Sequence, residues 1–326
     1  MIKKVSMLAA AVGCIVTATS AFASYPDKPI SIVVPFAAGG PTDVVARSLA
    51  QAMGSQLKGS MIVENVGGAG GTIGAGKVAR APGDGYTLLF HHIGMSTAPT
   101  LYRKLDYKPL EDFIPIGAVV DVPMTIIAKP TMAAANAKDL LAFIRANKDK
   151  INLANAGVGS ASHLCGLLLQ NAMKTELTTV PFSGTGPAMT ALLGGNVDLM
   201  CDQTTNTTAQ IEAGKLKAYA VTTMKPLTTP ALSKLPTLDS QGLKGFNVSV
   251  WHAMYAPKGT PKPVLDMVNT ALKNALKDPE FIKRQEALGA VIVTDNRTNP
   301  ADHKRFVEAE INKWGPAIKA AGQYAD

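Results

Sequence analysis

Ser160, Ser162, His163 and Asp202 are the residues of this 326-residue chain whose types first suggest chemistry. A serine, a histidine and a carboxylate are the parts of a nucleophilic hydrolase, in which the imidazole takes the serine proton and the acid orients the imidazole. The run Gly157-Val158-Gly159-Ser160-Ala161-Ser162-His163 lacks the Gly-x-Ser-x-Gly turn that presents such a serine, and His163 serves equally well as a capping or packing residue in a first helical turn. Anion binding suits the stretch better. Ile151, Leu153 and Ala154 form a short strand, Gly157 and Gly159 free the backbone, and Leu164, Leu167 and Leu168 resume at helical spacing. Ser160 or Ser162 then caps a helix start, where unpaired N–H groups and the positive end of the macrodipole meet nearby hydroxyls.

Other chemistry is weaker. Gly71-Thr72-Ile73-Gly74-Ala75-Gly76-Lys77-Val78 nearly spells a nucleotide phosphate loop, but Val78 has no hydroxyl for magnesium, and the glycines miss the dinucleotide spacing at Ile73. His91 and His92 are adjacent on a strand, so their side chains point to opposite faces and cannot readily share one ion. Neither metal nor cofactor is expected.

The elements that must position these residues alternate. Ile30–Val34, Met61–Val63 and Tyr86–Phe90 read as strands, each followed by a Gly- or Ser-rich loop and a helix, with Pro41 suited to a first helical position. Met124–Ala128, Ile151–Ala154, Thr178–Val180, Val197–Cys201 and Lys217–Val221 repeat the pattern, Val248–Tyr255 crosses back, and helices Pro261–Leu276, Pro279–Leu288 and Pro300–Ala321 finish the chain. Alternation of this kind predicts an α/β fold of two lobes with mainly parallel sheets. The loops at the carboxyl ends of the strands then face one another across a cleft, where ligands of open α/β sheets bind.

Lys3 and Lys4, the apolar run Met7–Val16 and Ala21-Phe22-Ala23 read as a cleaved signal peptide over residues 1–23, so the chain is expected in the periplasm. Its loss takes the formal charge from +8 to +6, with basic residues scattered and no basic stripe; nucleic acid is not an expected partner. The two remaining cysteines, Cys165 and Cys201, fall at the carboxyl edge of one sheet and in an oxidising compartment are expected to pair.

Taken together, several motifs resemble the periplasmic receptors of tripartite tricarboxylate transporters, the Bordetella uptake gene family. They are Tyr25-Pro26-Asp27-Lys28-Pro29, Val34-Pro35-Phe36-Ala37-Ala38-Gly39-Gly40-Pro41-Thr42-Asp43, Glu64-Asn65 with Gly67–Gly71, Pro82-Gly83-Asp84-Gly85-Tyr86, Gly159–Leu164, Val180–Gly184 and Leu193–Asp198. The resemblance covers the mature chain. It implies a Venus-flytrap receptor, not an enzyme, that closes on a small carboxylate and docks onto membrane permease subunits. Matched residue by residue, it places Phe36, Ala37, Thr42 and Asp43 on one side of the ligand and Ser160, Ala161, Ser162 and Asp202 on the other.

Around that set, His92, Ser96, Thr185 and Asn206 are placed to read the distal end of the ligand. A dicarboxylate is expected, either C4 to C6 aliphatic or an aromatic acid of the terephthalate type stacked on Phe36 or Phe182. Asp202 repels a carboxylate unless a proton or a water intervenes. Lobe 1 is expected to comprise residues 24–124 and 249–326 and lobe 2 residues 125–248, in a monomer. A ligand-binding partner of a histidine kinase, or an exported hydrolase, are the alternative functions.

Overall fold

The computed structural model describes residues 25–322, 324 and 325; the expected signal peptide, residues 1–23, lies outside them. The elements in chain order are β1 (Ile30–Val34), α1 (Pro41–Leu57), β2 (Met61–Asn65), α2 (Thr72–Ala79), β3 (Thr87–His92), α3 (Gly94–Leu101), β4 (Phe113–Ala128) and α4 (Ala137–Ala146). They continue with β5 (Asn152–Asn155), α5 (Ala161–Met173), β6 (Thr178–Pro181), α6 (Thr185–Leu193), β7 (Leu199–Gln203), α7 (Thr204–Glu212), β8 (Lys217–Val221), β9 (Ser249–Pro257), α8 (Lys262–Ala275), α9 (Pro279–Ala287), β10 (Val291–Ile292) and α10 (Pro300–Ala321).

Two lobes share one strand. The first half of β4, from Phe113 to Pro123, pairs with β9, while Met124 to Ala128 pairs with β7 and β8. One side of the molecule is therefore ordered β2-β1-β3-β9-β4, and the other β4-β7-β5-β6. Among the described residues four strand pairings are parallel and five antiparallel. The expectation of mainly parallel sheet thus holds for the outer strands and is corrected at the centre. There β4 and β9 carry the chain between lobes in opposite directions, and each must run against its neighbours.

The first half of β4 carries Pro115, Gly117 and Pro123, and its pairing with β9 shifts register between Pro115 and Gly117 and again between Ala118 and Val120. Gly117 is required there, since a Cβ would lie 2.6 Å from the Thr298 carbonyl oxygen. Apolar faces close on three cores. Val45, Leu49 and Met53 of α1 pack with β1 and α8, Leu140, Leu141 and Ile144 of α4 join the core reaching both lobes, and Ala188 and Leu192 of α6 pack on Ile127 and Met200.

Candidate functional site

The loop after β1 is folded back by Asp43. Its carboxylate accepts from Gly39 N and Arg47 Nε, both at 2.8 Å, and from Asn65 Nδ2 at 2.8 Å, while the same amide reaches the Phe36 carbonyl at 3.1 Å. Burial pushes the Asp43 carboxyl up, but these hydrogen bonds and the Arg47 charge outweigh it and hold the group below its usual value. Asp43 shapes the loop and does not line the cleft, which corrects its expected place at the ligand.

Three histidines lie under this loop. Gly94 N donates to His92 Nδ1 at 2.9 Å and His92 N to His91 Nδ1 at 2.7 Å, so both neutral rings carry their proton on Nε2. Phe36 stacks on His92 with ring centroids 4.4 Å apart. Burial lowers the basicity of His91 and His252, each to about 3, and holds His92 well below the usual range; neighbouring histidines add to the effect at His91 and His92, while the Val250 carbonyl works against it at His252. Ser96 does not reach the cleft: its Oγ donates to Ile93 O at 2.7 Å inside the first turn of α3.

In the second lobe the loop between β5 and α5 presents Ser160 and Ser162. Ser160 caps α5 by accepting from His163 N at 3.2 Å, Ser162 Oγ accepts from Ala156 N at 2.8 Å, and the two hydroxyls lie 3.1 Å apart. One hydroxyl proton closes that pair, which leaves the other for a ligand. His163 Nδ1 accepts from Gly159 N at 3.3 Å, so that face of the ring serves its own loop. A disulfide joins Cys165 in α5 to Cys201 in β7, with Cα atoms 6.0 Å apart, and so fixes the Ser160 loop against the strand that ends in Asp202 and Gln203.

Asp202 is 1% exposed, and burial pushes its carboxyl up to about 7 against the Gln203 N–H and the Asn206 amide, whose Nδ2 donates at 2.6 Å. Asn206 thus holds Asp202 and does not itself line the cleft, correcting its expected contact.

These loops enclose a cavity of about 520 Å³ lined from both lobes. Of the expected residues it brings together Phe36, Ala37, Thr42, His92, Ser160, Ala161, Ser162, Thr185 and Asp202. Phe182, the expected alternative stacking ring, and the Gly67–Gly71 run also line it, together with Tyr102 and Gln203, which were not among the expected residues. The starts of α1, α5, α6 and α7 all converge there through Pro41, Ala161, Thr185 and Gln203, and no lysine or arginine is among the described lining residues. Such a cavity is built to receive negative charge from backbone N–H groups and helix dipoles. The lobes also touch: Tyr102 Oη donates to Val158 O at 3.0 Å.

Among the described residues no helix is long and apolar enough to cross a membrane, and no three His, Cys, Asp or Glu side chains are grouped to hold a metal ion.

Residues 45–323 match the family described as tripartite tricarboxylate transporter family receptor. Among solved structures the chain is similar to the periplasmic binding protein BugD, with 54% identity and a TM-score of 0.88 over 92% of this chain and 99% of that one. It is similar to MatC from Rhodopseudomonas palustris with bound malate, at 37% identity and a TM-score of 0.85 over 90% and 100% of the two chains. It is also similar to Rpa4515 from R. palustris with adipate, at 31% identity and a TM-score of 0.86 over 92% and 99%.

Proposed function

The chain belongs to the tripartite tricarboxylate transporter receptor family of periplasmic solute-binding proteins, and from that premise we propose that it captures a small aliphatic dicarboxylate between its lobes and delivers it to membrane permease subunits. The observation that carries the ligand class is the convergence of four helix starts on one cavity with no lysine or arginine among its described lining residues. Backbone N–H groups, the spare hydroxyl proton of the Ser160–Ser162 pair and the His92 Nε2–H are its donors. Without a guanidinium clamp the ligand gives up less hydration and leaves faster.

Similarity to a malate-bound and an adipate-bound protein supports chain lengths of C4 to C6. Phe36 is already stacked on His92, which favours an aliphatic over an aromatic ligand. Lobe 1 comprises residues 24–124 and 249–326 and lobe 2 residues 125–248 in this reading, supported by the exchange of β4 partners between Pro123 and Met124. Ligand binding closes one lobe on the other, and the permease distinguishes the closed form. A signal peptide over residues 1–23 delivers the chain to the periplasm.

A thermal-shift screen of residues 24–326 against aliphatic and aromatic mono-, di- and tricarboxylates tests this. A ligand of the folded state adds about 2.7 kcal/mol at a hundredfold excess over Kd. The expected result is a selective shift by C4 to C6 dicarboxylates that is lost in Ser160→Ala with Ser162→Ala. No shift by any carboxylate overturns the assignment.

A further inference from the structure

Thr42 lines the cavity from the first turn of α1, and its hydroxyl oxygen lies 3.1 Å from His252 Nε2. His252 Nδ1 lies 3.1 Å from the carbonyl oxygen of Val250. A carbonyl oxygen only accepts, so Nδ1 must carry the ring proton, and a neutral His252 has a bare Nε2. The hydroxyl proton of Thr42 is then committed to His252. Only lone pairs remain for Thr42 to offer the cavity it lines.

Burial of His252, which is 0% exposed, keeps the ring neutral, with its basicity lowered to about 3. The arrangement is therefore fixed across the ordinary pH range. A threonine at a helix start would ordinarily be counted as a donor to an anion, and here it cannot be one. Across the cavity Asp202 is the only charged side chain among the described lining residues, and it too accepts when ionised. Gln203 beside it is 4% exposed and its Oε1 has no hydrogen-bond partner.

We propose that Thr42, with its proton committed to His252, is a specificity-determining acceptor that selects carboxylates bearing a hydrogen-bond donor, a hydroxyl or an ammonium, on their carbon skeleton. The proposal rests on the carboxylate-receptor reading. An unsubstituted dicarboxylate gives Thr42 no proton and leaves a buried acceptor unpaired, the situation in which discrimination by hydrogen bonding is strongest.

The test uses matched ligands on residues 24–326 by calorimetry: succinate, malate and aspartate at C4, and adipate, 2-hydroxyadipate and 2-aminoadipate at C6. The hydroxylated or aminated acid of the better-fitting length is expected to bind at least tenfold tighter than its unsubstituted parent. Thr42→Val should collapse that ratio toward one, and Thr42→Ser should restore it. Whether hydroxyl or ammonium is preferred identifies the donor. Equal binding of parent and substituted acids, or a Thr42→Val loss that is the same for both, overturns the proposal while leaving the carboxylate reading standing. Failure of all six to bind overturns both. Independently of any ligand or variant, the ¹⁵N resonances of His252 are expected to show a protonated Nδ1 and a bare Nε2 from pH 5.5 to 8, and a protonated Nε2 would sink the argument.

Discussion

Tyr102, at the end of α3, donates its hydroxyl to the carbonyl of Val158, in the loop before α5, at 3.0 Å, and this bond ties the first lobe to the second at the mouth of the cavity. Gly70 lies against the same pair. A Cβ on it would fall 2.6 Å from both the Tyr102 hydroxyl and the Val158 oxygen, and its φ of +59° is itself unfavourable for other residues. Tyr102→Phe is expected to remove about 1 kcal/mol from the closed state, hence weaken ligand binding roughly fivefold, mainly by speeding release. Gly70→Ala holds the lobes apart and is expected to cost more than about tenfold. Stopped-flow release rates and small-angle scattering with and without ligand check both; an unchanged release rate in Tyr102→Phe would show that the bond plays no part in closure.

The Cys165–Cys201 bridge closes a loop of 36 residues, which on chain entropy is worth roughly 3 to 4 kcal/mol. Cys165→Ser with Cys201→Ser should lower the unfolding free energy by about that amount in urea. Ligand affinity should fall with it, because the bridge holds the Ser160 loop against the strand bearing Asp202. Loss of stability with affinity intact would confine the bridge to a structural role.

Stability should rise from pH 4 and level off above about pH 7, the three buried histidines outweighing the one buried carboxyl. The carboxyl of Asp202 is raised by burial to about 7, so the folded chain holds a proton that the unfolded chain loses near pH 4, and the contribution of this group falls as pH climbs from 4 to 7. At full shift the penalty is on the order of 4 kcal/mol. His91, His252 and His303 are lowered to about 3, chiefly by burial, so below pH 6.5 the unfolded chain takes up protons the folded chain refuses. Their contribution is present above pH 6.5 and is lost as pH falls towards 3. Melting temperature of the ligand-free protein from pH 4 to 9 measures the sum, and Asp202→Asn, which removes the opposing contribution, should steepen the rise between pH 4 and 7.

Asp43→Ala removes the acceptor of Gly39 N and of Arg47 Nε and one of the two acceptors of the Asn65 amide. Destabilisation of about 2 to 4 kcal/mol is expected, together with poor ligand binding because the Phe36–Gly40 loop loses its anchor. Asp43→Asn keeps the shape without the charge and should lie between the wild type and the alanine variant in both denaturation and calorimetry.

Much of this was legible in local chemistry. Ile30–Val34 announces its strand by a β-branched apolar run broken only by Ser31, and Pro41, Pro279 and Pro300 stand at the starts of their helices. The first half of β4 was not, because Pro115, Gly117 and Pro123 interrupt the strand pattern and only the register shifts against β9 accommodate them. The antiparallel centre was equally hidden, since periodicity does not say which distant segment a strand will meet. At the cavity, polar loops after strands located the region. They did not reveal that Asp43, Ser96 and Asn206 use their polar atoms within the protein, and Tyr102 and Gln203 come to the cavity only through the tertiary fold.

The division of β4 between two sheets also sets an order of assembly. The partners of its second half, from β5 to β8, follow directly in the chain, so that sheet is complete once Val221 has been made. The inner edge of β3, from Leu89 to His92, has to wait for Ala253 and its neighbours in β9. During synthesis from the amino end, Leu-Leu-Phe-His-His is therefore an open, apolar strand edge for most of the chain's emergence, the kind of surface that pairs with other chains. A nascent chain cut short before Ser249 would carry one finished sheet and one adhesive one.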